Sequence, residues 1–337
     1  MILVLQPGLG LDAIHEVEAA VRRAGGEPRR LFSQNDDGAH QAIEAKGIHA
    51  SALAGVAGVA FVLDGKSLFP RVARCGDERK EISISPKRAR AVIGGKELVL
   101  IAGPCAVENL EQLEACARMS AEAGATILRG GAFKPRTSPY SFQGMGEEGL
   151  LMMRAVAERH GLAVLTEVLE PSAVPLVSEH ADALQVGSRN MQNFPLLRAV
   201  GRQTRPVMLK RGMSATLDEW LLAAEYIADA GNENIILCER GVRGFDPASR
   251  NLLDLAAVPL LRERTSLPIV VDPSHGVGVR SAISAMALAA VAAGADGLML
   301  ECHPDPGVAK SDGFQALLPG QLRAIAVRAR AVANLVR

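Results

Sequence analysis

The chain has 337 residues, 48% of them hydrophobic but only 3% aromatic, so its core must be largely aliphatic. That length exceeds one average domain and suits a large α/β domain joined to a small one. Lys plus Arg and Asp plus Glu both total 37, which excludes a global field for nucleic acid or an acidic membrane and makes any cationic site a local one. The five cysteines, Cys75, Cys105, Cys116, Cys238 and Cys302, show no CxxC spacing, and their odd number argues against a secreted disulfide framework. No apolar run approaches the ~18–20 residues of a membrane span, and the start, MILVLQPG, lacks the basic segment of a signal peptide. A soluble, cytoplasmic protein is expected.

Residues 1–65 read as a small α+β domain. Ile2–Leu5 and Glu27–Phe32 are strand candidates around a helix at Leu11–Ala24. His40–Ile48, Ala52–Val56 and Ala60–Leu63 then suggest strand, short helix, strand, giving the βαββαβ order of a ferredoxin-like domain. Residues 66–96 carry Arg71, Arg74, Arg79, Lys80, Lys87, Arg88 and Arg90 and read as a solvated basic connector.

From residue 97 to 337 short aliphatic runs alternate with amphipathic ones. The runs are Leu98–Ala102, Ala125–Leu128, Ala163–Val168, Ala183–Val186, Pro206–Leu209, Ile235–Cys238, Pro268–Val271 and Gly297–Leu300. Near-continuous apolar content in such short runs fits strands covered on both faces. Among the intervening helices the clearest spans Leu217–Ala230, where Thr216 and Glu219 form a capping-box pattern. Eight βα units in this length predict a (β/α)8 TIM barrel, which typically needs about 250 residues. A doubly wound sheet would carry a Gly-rich nucleotide turn after its first strand; Gly103-Pro104-Cys105 is not one.

In such a barrel chemistry sits at the C-terminal ends of the strands, and there the polar residues gather. The first strand runs into Cys105, and the second into Arg129 followed by Lys134 and Arg136. Glu167 lies in the third, and Ser188-Arg189 follow the fourth. Lys210-Arg211 close the fifth and Glu239-Arg240 the sixth. Asp272 to His275 follow the seventh, and Glu301 closes the eighth, with Asp312 beyond. Prolines at 135 and 139 stiffen the loop after strand two. Cys105, His275, Glu301 and Asp312 belong to strands one, seven and eight, neighbours once the barrel closes. That mix of soft and hard donors suits manganese, iron, cobalt or zinc better than calcium. The alternative is a buried thiol, a histidine bonded to a carbonyl and two solvated carboxylates. Arg189, Lys210 and Arg240 come from adjacent strands, opposite Arg129, Lys134 and Arg136, so two anionic groups, or one ligand with two ends, are expected. Cys302, next to Glu301, should point to the opposite face. Cys116 reads as helix packing and His303 as part of an exit turn.

IAGPCAVE at 101–108, LRGGAFKPRTSPYSFQG at 128–144, VGSRNMQNF at 186–194, LKRG at 209–212, CERG at 238–241, VDPSH at 271–275 and ECHPDP from 301 through Ser311-Asp312-Gly313 together resemble the DAHP synthase family. The likeness is closest to the microbial type I beta branch with an N-terminal ferredoxin-like domain. It implies condensation of phosphoenolpyruvate with erythrose 4-phosphate and water, the first step of the shikimate pathway to aromatic amino acids. It also implies one divalent metal ion on Cys105, His275, Glu301 and Asp312. Arg129, Lys134, Ser188, Arg189, Lys210 and Arg240 would hold phosphoenolpyruvate, and Arg136 and Thr137 the aldose phosphate. Lys134 would stabilise an alkoxide, and Glu167 or Lys210 would handle the protons of water. A homo-oligomer, with a tetramer favoured, and a tyrosine or phenylalanine effector at residues 1–65 are further implications.

Three rivals stand beside this reading. The sister enzyme, 3-deoxy-manno-octulosonate 8-phosphate synthase, uses arabinose 5-phosphate, and KPRTS at 134–138 is unlike its loop. A Schiff-base aldolase could use Lys134 or Lys210. A non-catalytic, amino-acid-sensing regulatory subunit would have no need of the catalytic positions, all of which are occupied here.

Overall fold

The computed structural model describes the chain except for residues 7, 33–40, 49, 54, 64–67, 75–78, 85–90 and 136–137. Two compact units are present, one of residues 1–78 with 264–266 and one of residues 79–263 with 267–337. In the first, β1 (Ile2–Leu5), α1 (Leu11–Arg23), β2 (Glu27–Phe32), β3 (Gln41–Lys46) and β4 (Val59–Leu63) form a sheet with a helix. The strand order is β2-β3-β1-β4, every neighbour antiparallel. Alternation puts Leu3, Leu5, Ile43 and Ala45 on one face, where they meet Ile14, Val17 and Val21 of α1. The short helix expected at Ala52–Val56 is instead a 3-10 turn, Ala50–Leu53. Gly55 and Gly58, both at positive φ, prevent a longer helix there.

The second unit opens with a hairpin, β5 (Ile82–Ile84) paired with β6 (Ala91–Ile93). Then come β7 (Val99–Gly103), α2 (Leu110–Glu122), β8 (Ile127–Arg129), α3 (Gly146–Arg159), β9 (Ala163–Val168), α4 (Val174–His180), β10 (Ala183–Val186) and α5 (Phe194–Gly201). They are followed by β11 (Val207–Lys210), α6 (Leu217–Asp229), β12 (Ile235–Glu239), α7 (Ala257–Arg264), β13 (Ile269–Val271), α8 (Pro273–Val277), α9 (Arg280–Ala292), β14 (Gly297–Glu301) and α10 (Pro319–Val336). Strands β7 to β14 are parallel and close into a barrel. α6 starts with the expected capping box of Thr216 and Glu219. The single tryptophan, Trp220, is fully buried under the barrel wall and donates from Nε1 to the Leu209 carbonyl at 3.2 Å.

The solvated connector is corrected by this structure: Phe69 and Val72 are already buried, and from residue 79 onward the segment belongs to the barrel unit. Ile82, Ile84, Ala91 and Ile93 are buried in one cluster with Val99, Ile101, Ile127, Ala163 and Ala183. Most of these partners stand at the N-terminal starts of their strands, so the hairpin plugs that end of the barrel. Of the connector's cations, Arg79 makes a bidentate pair with Asp296 at 2.5 and 2.6 Å and Lys80 pairs with Glu233 at 3.2 Å. Lys87, Arg88 and Arg90 lie outside the described residues. Truncating a fully buried plug side chain leaves a cavity that the closed barrel cannot collapse around. Ile93→Ala should cost about 2–5 kcal/mol, measured by urea unfolding followed through Trp220 fluorescence.

Candidate active site

The C-terminal ends of β7, β13 and β14 bring four donors together. Cys105 Sγ, a nitrogen of His275 and one oxygen each of Glu301 and Asp312 all lie within 4.8 Å of one another. His275 Nε2 is 3.1 Å from Glu301 Oε1 and 3.9 Å from Asp312 Oδ2, which is 3.5 Å from Cys105 Sγ. Local backbone explains each placement. Gly103, at φ +152, ends β7 where a Cβ would fall 2.0 Å from the Arg129 carbonyl, so the chain turns tightly into Pro104-Cys105. Asp272 caps α8 by accepting from the His275 amide at 3.0 Å, fixing the histidine one turn in. Asp312 adopts φ +52, a left-handed conformation that turns the loop after β14 back over the site.

A second set of groups orients these four. Asp272 Oδ2 lies 2.7 Å from His275 Nδ1, leaving Nε2 to face the cluster. Arg129 donates to Glu301 at 2.9 Å, and Gln315 donates to its other oxygen. Arg250 reaches Asp312 at 3.1 Å, and Lys134 Nζ lies 3.2 Å from Cys105 Sγ. Burial alone would push the His275 imidazole down, but Asp272 and Glu301 outweigh it and raise the group to about 9. Burial would likewise raise Glu301, yet His275 and Arg129 hold its carboxyl well below the usual range. Against its own burial, Asp272 is kept low by His275 and Lys210. The donor set therefore fits a divalent ion of the transition series: one thiol, one imidazole already backed by a carboxylate, and two acids held ionised.

The same strand ends form one cavity of ≈ 480 Å³, lined by Arg129, Lys134, Glu167, Ser188, Arg189, Lys210, Arg240, His275 and Asp312. Every expected site residue within the described chain lies at this cavity or in the four-donor cluster. Arg136 and Thr137 lie outside the described residues. The Arg240 Nη1 and Ser188 Oγ atoms are buried without a hydrogen-bond partner among the described residues, as groups awaiting an anion would be. Glu167 sits over Gly187, where a Cβ would meet its carboxylate oxygen at 2.0 Å, and accepts from Gln185 at 3.3 Å.

Two charged residues named at strand ends take no part in the cavity. Arg211 pairs with Glu239 at 3.0 Å and Asp254 at 2.8 Å, because each strand-end pair sends its neighbouring side chains opposite ways. Cys302 is buried toward α2, where its carbonyl accepts from Cys116 at 3.6 Å. His303 Nδ1 accepts from the Asp305 amide in the exit turn. Cys238 is sealed in the barrel core, and burial pushes its thiol up to about 12. The structure adds Gln185, Arg243, Arg250, Asp272 and Gln315 as residues that line or orient the site. Only Asp272 carried a sequence signal, the Asp-Pro-x-His pattern of a capped helix start.

A parallel barrel that sets a Cys-His-Glu-Asp cluster against a ring of cations defines an enzyme built for anionic substrates. The chain belongs to the DAHP synthetase I family, whose model matches residues 81–336. It is 52% identical over 225 residues to the phospho-2-dehydro-3-deoxyheptonate aldolase of Thermotoga maritima, covering 67% of each chain. A 2-dehydro-3-deoxyphosphooctonate aldolase of Alkalilimnicola ehrlichii is 35% identical over 241 residues, covering 66% of this chain and 85% of that one. The crystal structure of the Thermotoga maritima DAHP synthase superposes with a TM-score of 0.77 at 39% identity, covering 99% of this chain and 97% of that one. A truncated form of that enzyme gives 0.73 at 42% identity over 79% of this chain and 97% of its own. No described helix is long and apolar enough to cross a membrane.

His275 must release its Nε2 proton to act as a ligand. Metal affinity should therefore rise by about tenfold or more per pH unit over the range below the histidine's value of about 9. Calorimetric titration with Mn²⁺ at several pH values measures this; a flat profile would remove His275 from the ligand set.

Proposed function

We propose that this chain is a 3-deoxy-7-phosphoheptulonate synthase, condensing phosphoenolpyruvate with erythrose 4-phosphate and water to give DAHP and inorganic phosphate. The observation that carries the reading is a single cavity in which Lys134, Arg189, Lys210 and Arg240 face the four-donor cluster. The sequence likeness supports it over the octulosonate enzyme, 52% against 35%.

Cys105, His275, Glu301 and Asp312 would hold one divalent ion, manganese, iron, cobalt or zinc. When bound, the ion supplies Lewis-acid polarisation of the aldehyde oxygen. The other steps rest on this chain's own residues. Arg129, Arg189, Lys210 and Arg240 neutralise the carboxylate and phosphate of phosphoenolpyruvate, and Arg forks suit both groups. C3 of phosphoenolpyruvate forms the new bond to the aldehyde carbon, and Lys134 donates to the oxygen that becomes an alkoxide. Water adds at C2, and phosphate then leaves with cleavage of its C–O bond. Either Glu167, which accepts from Gln185, or Lys210, both at the cavity wall, would take the proton of that water.

The strand order β2-β3-β1-β4 supports a ferredoxin-like identity for the N-terminal unit, whose second helix is reduced to one turn. On that reading residues 1–65 carry inhibition by tyrosine or phenylalanine. The family resemblance also supports a cytoplasmic homo-oligomer, with a tetramer favoured.

Cys105→Ser should lose metal-dependent turnover by about 100-fold or more while its circular dichroism stays native, since even a residue that only orients a ligand is worth about 10–100-fold. Full activity in that variant would remove Cys105 from the site. Phosphate release should be fast with erythrose 4-phosphate, slow with arabinose 5-phosphate and abolished by chelation. The same assay, run with added tyrosine or phenylalanine, decides whether an effector exists; borohydride trapping of an adduct would instead favour a Schiff-base aldolase.

A further inference from the structure

We propose that Asp272 is a positioning residue that makes occupancy of the metal site and occupancy of the anion pocket favour one another. The inference rests on the functional reading above and goes beyond it, since it concerns how the two halves of the site communicate. Asp272 is fully buried. A single oxygen, Oδ2, receives both Lys210 Nζ at 2.6 Å and His275 Nδ1 at 2.7 Å. Its other oxygen is committed to the His275 backbone amide at 3.0 Å. Lys210 lines the anion pocket, and His275 Nε2 faces the other three donors.

One carboxylate charge is thus divided between two claimants in a place that water does not screen. An anion in the pocket draws the Lys210 ammonium toward itself and lengthens its bond to Asp272. More of the carboxylate charge then falls on His275, and an imidazole backed by a fuller negative charge is a stronger ligand. The reverse holds by necessity. A cation at Nε2 pulls the imidazole N–H harder onto Oδ2 and leaves Lys210 with more unspent charge for the pocket. Coupling between two binding equilibria is reciprocal.

Other pocket cations provide the contrast. Arg240 lines the same cavity, but its buried Nη1 has no hydrogen-bond partner among the described residues, and it makes no hydrogen bond to Asp272 in the structure. It feels Asp272 only through the field, with no hydrogen bond that an anion could draw away from the carboxylate, so it should pass much less of the event to His275.

The test is calorimetric, on the full chain at one pH, with Mn²⁺ and phosphoenolpyruvate as probes. Mn²⁺ affinity is measured without phosphoenolpyruvate and at saturation with it. The wild-type ratio should be about tenfold or more, within the usual range for linked sites. Asp272→Asn keeps the shape and removes the charge, and Lys210→Gln keeps Asp272 and removes the second claimant. Each should reduce the ratio to about threefold or less, whereas Arg240→Gln should weaken phosphoenolpyruvate but keep the ratio. Trp220 fluorescence checks folding, and Lys210→Gln carries the test if Asp272→Asn does not fold. The proposal is overturned if Lys210→Gln retains the wild-type ratio, or if Arg240→Gln loses it equally, which would assign the coupling to the general field of the pocket. A wild type that binds each probe alone without coupling also overturns it. Failure of the wild type to bind either probe would show in the first titrations and would overturn the functional reading itself.

Discussion

The pairing of the last barrel strand with the first is the constraint on which the site depends. β14 lies parallel to β7 in a register that sets Glu301 beside Gly103. Two segments about 200 residues apart are thereby joined, and Cys105 and Asp312, from loops just beyond those strands, meet at 3.5 Å. Without that ladder the cluster's ligands would belong to opposite ends of an open sheet. The N-terminal hairpin works on the same constraint from below, packing Ile82, Ile84 and Ile93 against the strand starts of the closed ring.

Charge is arranged by compensation. The chain is neutral overall, yet its catalytic face concentrates cations beside buried acids. Each acid of the cluster, and Asp272 behind it, has a cation assigned to it: Glu301 has Arg129, Asp272 has Lys210, and Asp312 has Arg250. Such pairs contribute little net stability when buried, because desolvation offsets their attraction. Their value is orientation. Arg240 differs from these, since burial lowers the basicity of its guanidinium and no partner occupies its Nη1 among the described residues.

Much of this was legible in the chain itself, and what was hidden was hidden for physical reasons. Eight aliphatic runs announce the barrel because strands covered on both faces cannot carry polar residues except at their ends. Thr216 and Glu219 announce a helix start because the capping box is local. The plug was missed because Ile82-Ser83-Ile84 and Ala91-Val92-Ile93 are three-residue strands embedded in a basic segment, too short for a pattern to stand out. Arg211 and Glu239 look like site residues in one dimension; only the facing of each side chain shows that they satisfy one another. Gln315 offers no signal at all, since a glutamine that braces a carboxylate from a following loop has the same spacing as one that braces nothing.

Asp312 carries a consequence for how this site can change over generations. Its backbone stands in the left-handed region, at φ +52, where glycine, asparagine and aspartate are tolerated and branched side chains are not. Drift at this position is therefore strongly biased toward a few letters. Asparagine would preserve the loop and an oxygen donor while deleting one negative charge, and glycine would preserve the loop while deleting the donor. The geometry of the turn filters the alphabet before selection on chemistry acts, so a change in the charge of the donor set can arise here without any refolding of the loop that presents it.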